Sequence, residues 1–152
     1  MENTASDQDF MARARAAAAK STDRSRQVGC VIVDPLRDCV ISHGANTLPN
    51  GVKDTEDRHE RPEKYFWTEH AERNAIYLAA RRGRALEGCV IYLPWFPCMD
   101  CARAIVQSGI SELVATKPDL SDPKWGEDFK RVATLLEEAQ VSLRFVCEPV
   151  TA

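Results

Sequence analysis

The chain has no run of basic residues, no internal repeat, no low-complexity linker, and no apolar stretch of membrane-spanning length, which takes roughly 20 residues. Each absence removes a class of protein. Polyanion binders use a cationic stripe to displace counterions from a phosphate backbone, and 20 Lys+Arg against 23 Asp+Glu, a net charge of −3, provides none. Long nucleic acid is therefore not expected as a partner, and neither is a membrane. The first residues, MENTASDQDFMARARAAAAK, begin acidic and lack the apolar core of a signal peptide, so a cytoplasmic location is expected. Over 152 residues with 44% hydrophobic and 28% charged composition, the lack of a linker points to one continuous domain, 1–152, with an ordinary core.

Six cysteines are present, yet without a secretion signal they read as reduced thiols and not as three disulfides. Cys30, Cys39, Cys89 and Cys147 lie in apolar, strand-like runs and are expected to be inert core residues. Cys98 and Cys101 differ: they sit in FPCMDC, three residues apart where Pro97 opens a helix.

Helix and strand patterns alternate along the chain. Residues 7–20 are alanine-rich and helical, with Asp7 as a candidate N-cap. VGCVIVD and DCVISHG read as strands joined in a hairpin. A charged, aperiodic segment, 49–67, follows and reads as a substrate flap. Thr68 is a candidate cap for a helix through EHAERNAIYLAARR, ended by Gly83. Then come a strand, GCVIYLPWF; the helix CMDCARAIVQS; a strand, ELVAT; a helix over 129–139; and a last strand, VSLRFV. An opening hairpin followed by alternating strands and helices predicts an α/β fold, a three-layer α/β/α sandwich around a mixed five-stranded sheet.

Cysteines at i and i+3 share one side of a helix's first turn, and a βαβ-type crossover sets the helix start that carries His70 beside theirs. Three ligands, one nitrogen and two sulfurs, can then converge on an ion. Zn2+ suits that set, and three protein ligands leave its fourth position open, as in catalytic sites. Glu72 does not fit a closed structural clip and is better explained as a proton carrier beside a zinc-activated water. A bare CxxC remains compatible with a structural clip or a redox pair.

HAE at 70–72 followed by PCMDC at 97–101 matches the H-x-E and P-C-x-x-C signature of zinc deaminases. With RSRQVGCVIVD, SHGANTLPNGV, EKYFWTEHAERNAI and LEGCVIYLPWFPCMDCARAIVQSGI, the chain resembles the cytidine and deoxycytidylate deaminase superfamily, and the deoxycytidylate deaminases in particular. The resemblance implies a cytidine-deaminase-like fold. It implies that His70, Cys98 and Cys101 ligate Zn2+, that Glu72 shuttles the proton, that the Ala71 N–H donates to the ring carbonyl, and that Asn46 contacts substrate. It also implies a homo-oligomer and a pyrimidine nucleotide substrate, dCMP converted to dUMP with release of ammonia. The chain departs from the family's GYNG, reading GANT at 44–47, and shows no second cysteine set in the charged segment; regulation by a nucleoside triphosphate is not expected to follow the family pattern.

For a substrate phosphate the candidates are Arg24 and Arg26, whose guanidinium groups suit bidentate binding, against a plain solvated loop. Trp67 and Trp95 flank the metal motifs and are candidate stacking walls, against ordinary core packing. His59, alone among charges, reads as solvated. Other function classes stay open: a deaminase of a free base, nucleoside, guanine or pterin, which would not need Arg24 or Arg26, and a non-catalytic zinc-stabilised module. A tRNA adenosine deaminase is disfavoured by the acidic balance.

Overall fold

The computed structural model describes residues 5–147. Strands β1 (Gly29–Asp34) and β2 (Cys39–Ala45) form the expected hairpin; β3 (Val90–Leu93), β4 (Glu112–Thr116) and β5 (Ser142–Val146) complete a five-stranded sheet in the order β2-β1-β3-β4-β5. β1 is antiparallel to both β2 and β3, whereas β3, β4 and β5 run parallel. The sheet is therefore mixed, as its alternating pattern predicts.

Alternation along the strands explains the layers. Val31, Val33, Val90, Tyr92 and Val114 point to one face and bury Phe10, Met11 and Ala14 of helix α1 (Ala5–Ala17). Their neighbours Cys30, Ile32, Ile91, Leu93 and Leu113 point to the other, against helices α3 (Ala71–Arg81), α4 (Met99–Gln107) and α5 (Gly126–Glu138). With both faces covered, the central strand β3 (VIYL) is buried along its whole length, whereas β5 at the sheet edge (SLRFV) carries Ser142 and Arg144.

Several expectations are corrected. Asp7 lies inside the first turn of α1 and not ahead of it; its carboxylate is 2% exposed and accepts bonds from Tyr92 Oη (2.8 Å) and the Arg144 guanidinium (2.8 and 3.0 Å). The N-cap of α3 is His70 and not Thr68, because Thr47 and Glu69 exchange backbone bonds (3.0 and 2.8 Å) that keep residue 69 extended. α5 starts at Gly126 because the Asp122 carboxylate takes the N–H groups of Lys124 and Trp125, turning the chain early. Cys30 and Cys89 are buried, but Cys39, on the sheet edge, is half-buried and Cys147, just beyond β5, is exposed; all six cysteines are free.

The segment 49–67 is also more ordered than its pattern predicts. It contains a 3-10 turn (Glu56–His59) and the short helix α2 (Lys64–Trp67). His59 is not solvated; its side chain is 7% exposed and paired with Asp54. Lys64 Nζ ties the segment to the loop before β1, at 2.9 Å from Asp23 Oδ2 and 2.7 Å from Ser25 Oγ. Burial pushes the Asp23 carboxyl up, but Lys64 and the N–H groups of Arg26 and Ser25 more than reverse this and hold it at about 2.

Candidate metal centre and substrate pocket

α3 is moored where β2 ends. Gly44 lies so close beneath it that an added Cβ would sit 2.1 Å from the Ala71 carbonyl oxygen, so only glycine admits the helix here. Ser42 Oγ donates to the Ala75 carbonyl (2.6 Å), Cys30 Sγ donates to the Ala71 carbonyl (3.3 Å), and Asn74 Nδ2 donates to the Ala45 carbonyl (2.8 Å). These contacts fix the rotation of α3 and with it the directions of His70 and Glu72.

The crossover from β3 brings α4 alongside. His70 Nδ1 lies 3.5 Å from Cys98 Sγ and 3.4 Å from Cys101 Sγ, and the three donor atoms fall within 4.8 Å of one another. Among the described residues this is the group of this kind that can hold a metal ion. One imidazole nitrogen and two thiols, convergent and largely buried, fit Zn2+ and fit hard oxygen-seeking cations poorly. The Cys98 thiol is drawn down to about 4 by the hydrogen bond from Cys101 and by His70, against its burial. Cys101 is pushed up by its hydrogen bond with Cys98 and by burial. The Cys98 thiolate in turn raises the pKa of His70.

Glu72 is 4% exposed, accepts the Cys101 thiol at 3.3 Å, and borders the same pocket as the three ligand candidates. Its carboxyl is raised by burial. Ala71 opens α3, so its N–H has no intrahelical acceptor, and it too lines the pocket.

The pocket measures about 930 Å³ and lies at the carboxyl ends of the parallel strands, where open α/β sheets bind ligands. It brings together some sequence candidates and leaves others out. Arg26 and Trp95 both line it, with the guanidinium 4.1 Å from the indole centroid. Arg24 does not; it is exposed and paired with Glu56. Trp67 does not either, since its ring lies 3.8 Å under the Arg58 guanidinium and its Nε1 donates to Glu63. Asn46 borders the pocket but is heavily engaged: Oδ1 accepts from Ser21 Oγ (2.6 Å) and Val28 N (2.9 Å), and Nδ2 donates to the Arg26 carbonyl (2.8 Å). One amide hydrogen remains for a ligand.

Lys124, Trp125 and Arg131 line the opposite rim and were missed from sequence. The signal was there: DPKWGED is a turn cluster at a strand end with an aromatic and a cation inside it. Tyr65, from the same YFW triplet as Trp67, crosses the mouth to within 3.3 Å of Lys124 Nζ.

Comparison with known proteins agrees with this geometry. Residues 4–117 match the family described as the cytidine and deoxycytidylate deaminase zinc-binding region. The uncharacterized deaminase of the luxG 3'region of Aliivibrio fischeri is 39% identical over 140 residues, 90% of each chain. The Homo sapiens deoxycytidylate deaminase is 34% identical over 133 residues, 84% of this chain and 71% of that one. In fold, the chain superposes on the crystal structure of the dCMP deaminase of cyanophage S-TIM5 in complex with dCMP and dUMP, with a TM-score of 0.76 at 20% identity, covering 96% of this chain and all of the other. Zinc chemistry, sheet order and the sequence between residues 4 and 117 thus converge, and the chain belongs to the cytidine and deoxycytidylate deaminase zinc-binding family.

Proposed function

We propose that the whole chain is one hydrolytic deaminase domain, acting in the cytoplasm on a pyrimidine nucleotide: dCMP and water give dUMP and ammonia. The observation that carries this reading is the buried carboxylate of Glu72 beside the His70, Cys98 and Cys101 donor set, at the floor of a pocket rimmed by cations. His70, Cys98 and Cys101 would hold Zn2+. What the ion supplies, once bound, is Lewis acidity that makes a water nucleophilic near neutral pH.

The chain's own groups do the rest. The Ala71 N–H donates to the ring carbonyl and sets the amine-bearing carbon over the donor set. Glu72 takes one proton of the attacking water and passes it to the adjacent ring nitrogen; it then takes the second proton, from the hydroxyl now on the ring carbon, and delivers it to the amine as the carbon–oxygen double bond forms and the carbon–nitrogen bond breaks, so ammonia leaves and the carboxylate is regenerated. Trp95 walls the pocket, and Arg26, held flat on it, takes the substrate phosphate.

Ammonia release across dCMP, CMP, deoxycytidine, cytosine, guanine and a pterin tests the reading. dCMP should turn over fastest. Arg26→Ala should raise KM for dCMP about tenfold or more, the scale of one lost charge-assisted hydrogen bond, while Arg24→Ala changes little. Faster turnover of an unphosphorylated ring would reject the nucleotide assignment.

We also propose a homo-oligomer. Phe66 is 78% exposed, with Tyr65 and Tyr77 half exposed, a costly set of aromatics to leave in water. Light scattering should give a mass above that of one chain, and a clean monomer at micromolar concentration would overturn this.

A further inference from the structure

We infer that Asp128 is a positioning residue for the metal-ligand turn, an inference that rests on the zinc reading above. A helix start leaves its first N–H groups without partners, and the N-cap side chain usually supplies an acceptor. Here both N-cap residues are metal-ligand candidates. His70 caps α3 and Cys98 caps α4, and neither makes a side-chain capping bond.

Each start has instead recruited a carboxylate from elsewhere. At α3 the neighbour Glu69 accepts the His70 N–H at 3.0 Å. At α4 the acceptor comes from a different helix: Asp128 Oδ2, in the first turn of α5, receives the Met99 N–H at 3.2 Å. The carboxylate also faces the positive end of the α4 dipole, which favours it there.

Asp128 works together with its neighbour. Phe129 packs edge-on against Phe96 (centroids 5.3 Å apart, 88°) and against Trp95 (6.5 Å, 78°). Residues 95–96 are thus gripped on one side of Pro97 and residue 99 on the other, with Cys98 between them. The grip is itself anchored. Gly126 N–H donates to the Asp122 carbonyl at 2.8 Å, and a Cβ on Gly126 would come within 2.3 Å of the Leu120 carbonyl oxygen. α5 therefore cannot slide without disturbing the turn that carries both thiols.

Groups that orient metal ligands from outside typically contribute 10- to 100-fold in metal affinity. Zinc release to an excess of chelator, followed on the zinc-loaded chain without substrate, reads the effect apart from catalysis. Asp128→Ala should release zinc about tenfold faster than wild type, and the absorption bands of its cobalt-substituted form should shift. Asp128→Asn keeps an oxygen acceptor in place and should restore both. Glu127→Ala, the exposed neighbour paired with Lys130, should match wild type. Equal release from Asp128→Ala and wild type overturns the inference, and so does Asp128→Asn behaving like Asp128→Ala, since charge and not capping would then be responsible. A wild-type chain that takes up no zinc overturns the functional reading itself, and this inference with it.

Discussion

Glu72→Ala is expected to keep its zinc and its fold while losing at least about a hundredfold in turnover, the lower range for a general acid–base group. In the proposed mechanism Glu72 acts on protons and contributes little to packing: its carboxylate is enclosed beside Cys101 at the pocket floor, and its backbone is fixed by the contacts of α3 with β2. Substrate should still bind, because Arg26, Trp95 and the Ala71 N–H are untouched. The loss therefore belongs in kcat with KM little changed. Zinc content, thermal melting and steady-state kinetics on one preparation check this. Near-normal turnover would remove Glu72 from the mechanism, and parallel loss of zinc would make it a ligand.

Cys98→Ala and Cys101→Ala should each lose nearly all bound zinc. Two ligands in place of three hold the ion far less tightly, and among the described residues no second group of metal-ligating side chains stands beside this one. The two variants should differ in fold stability. Cys101 is fully buried, so its truncation leaves a cavity in the helical layer, whereas Cys98 is only half-buried. Metal analysis after gel filtration settles the first point and melting curves the second. Full zinc retention in both variants would remove the cysteines from the donor set.

The donor set was legible because its chemistry is local. HAE and PCMDC each fix spacing within a single helical turn, and the alternation of strands and helices sets the two turns side by side. The sheet followed for a related reason: short, β-branched apolar runs such as CVIVD and CVIYL, bounded by turn residues, read as strands buried on both faces. What escaped the sequence depends on partners far along the chain. Asp7 has the form of an N-cap, yet it finds Arg144, and no short-range pattern encodes that pairing. Arg24 and Arg26 are chemically alike and two residues apart. Only the fold shows that one meets Glu56 at the surface while the other lies on Trp95 inside the pocket. Trp67 and Trp95 divide in the same way, because Arg58 covers the first.

The sheet's change of direction at β1 and β3 has a bearing on assembly. The antiparallel hairpin side carries α3, and with it His70; the parallel side carries α4, and with it both thiols. The pairing that joins the halves links residues roughly sixty apart, such as Val31 and Tyr92, and long loops of this kind close slowly. The ligand triad therefore cannot exist in either half alone; it forms only as the seam closes. An ion that binds the triad acts as a clasp across that seam, drawing the folding equilibrium towards the joined state by mass action. The metal-free chain should then melt at a lower temperature than the zinc-loaded one, and melting curves with and without a chelator check this.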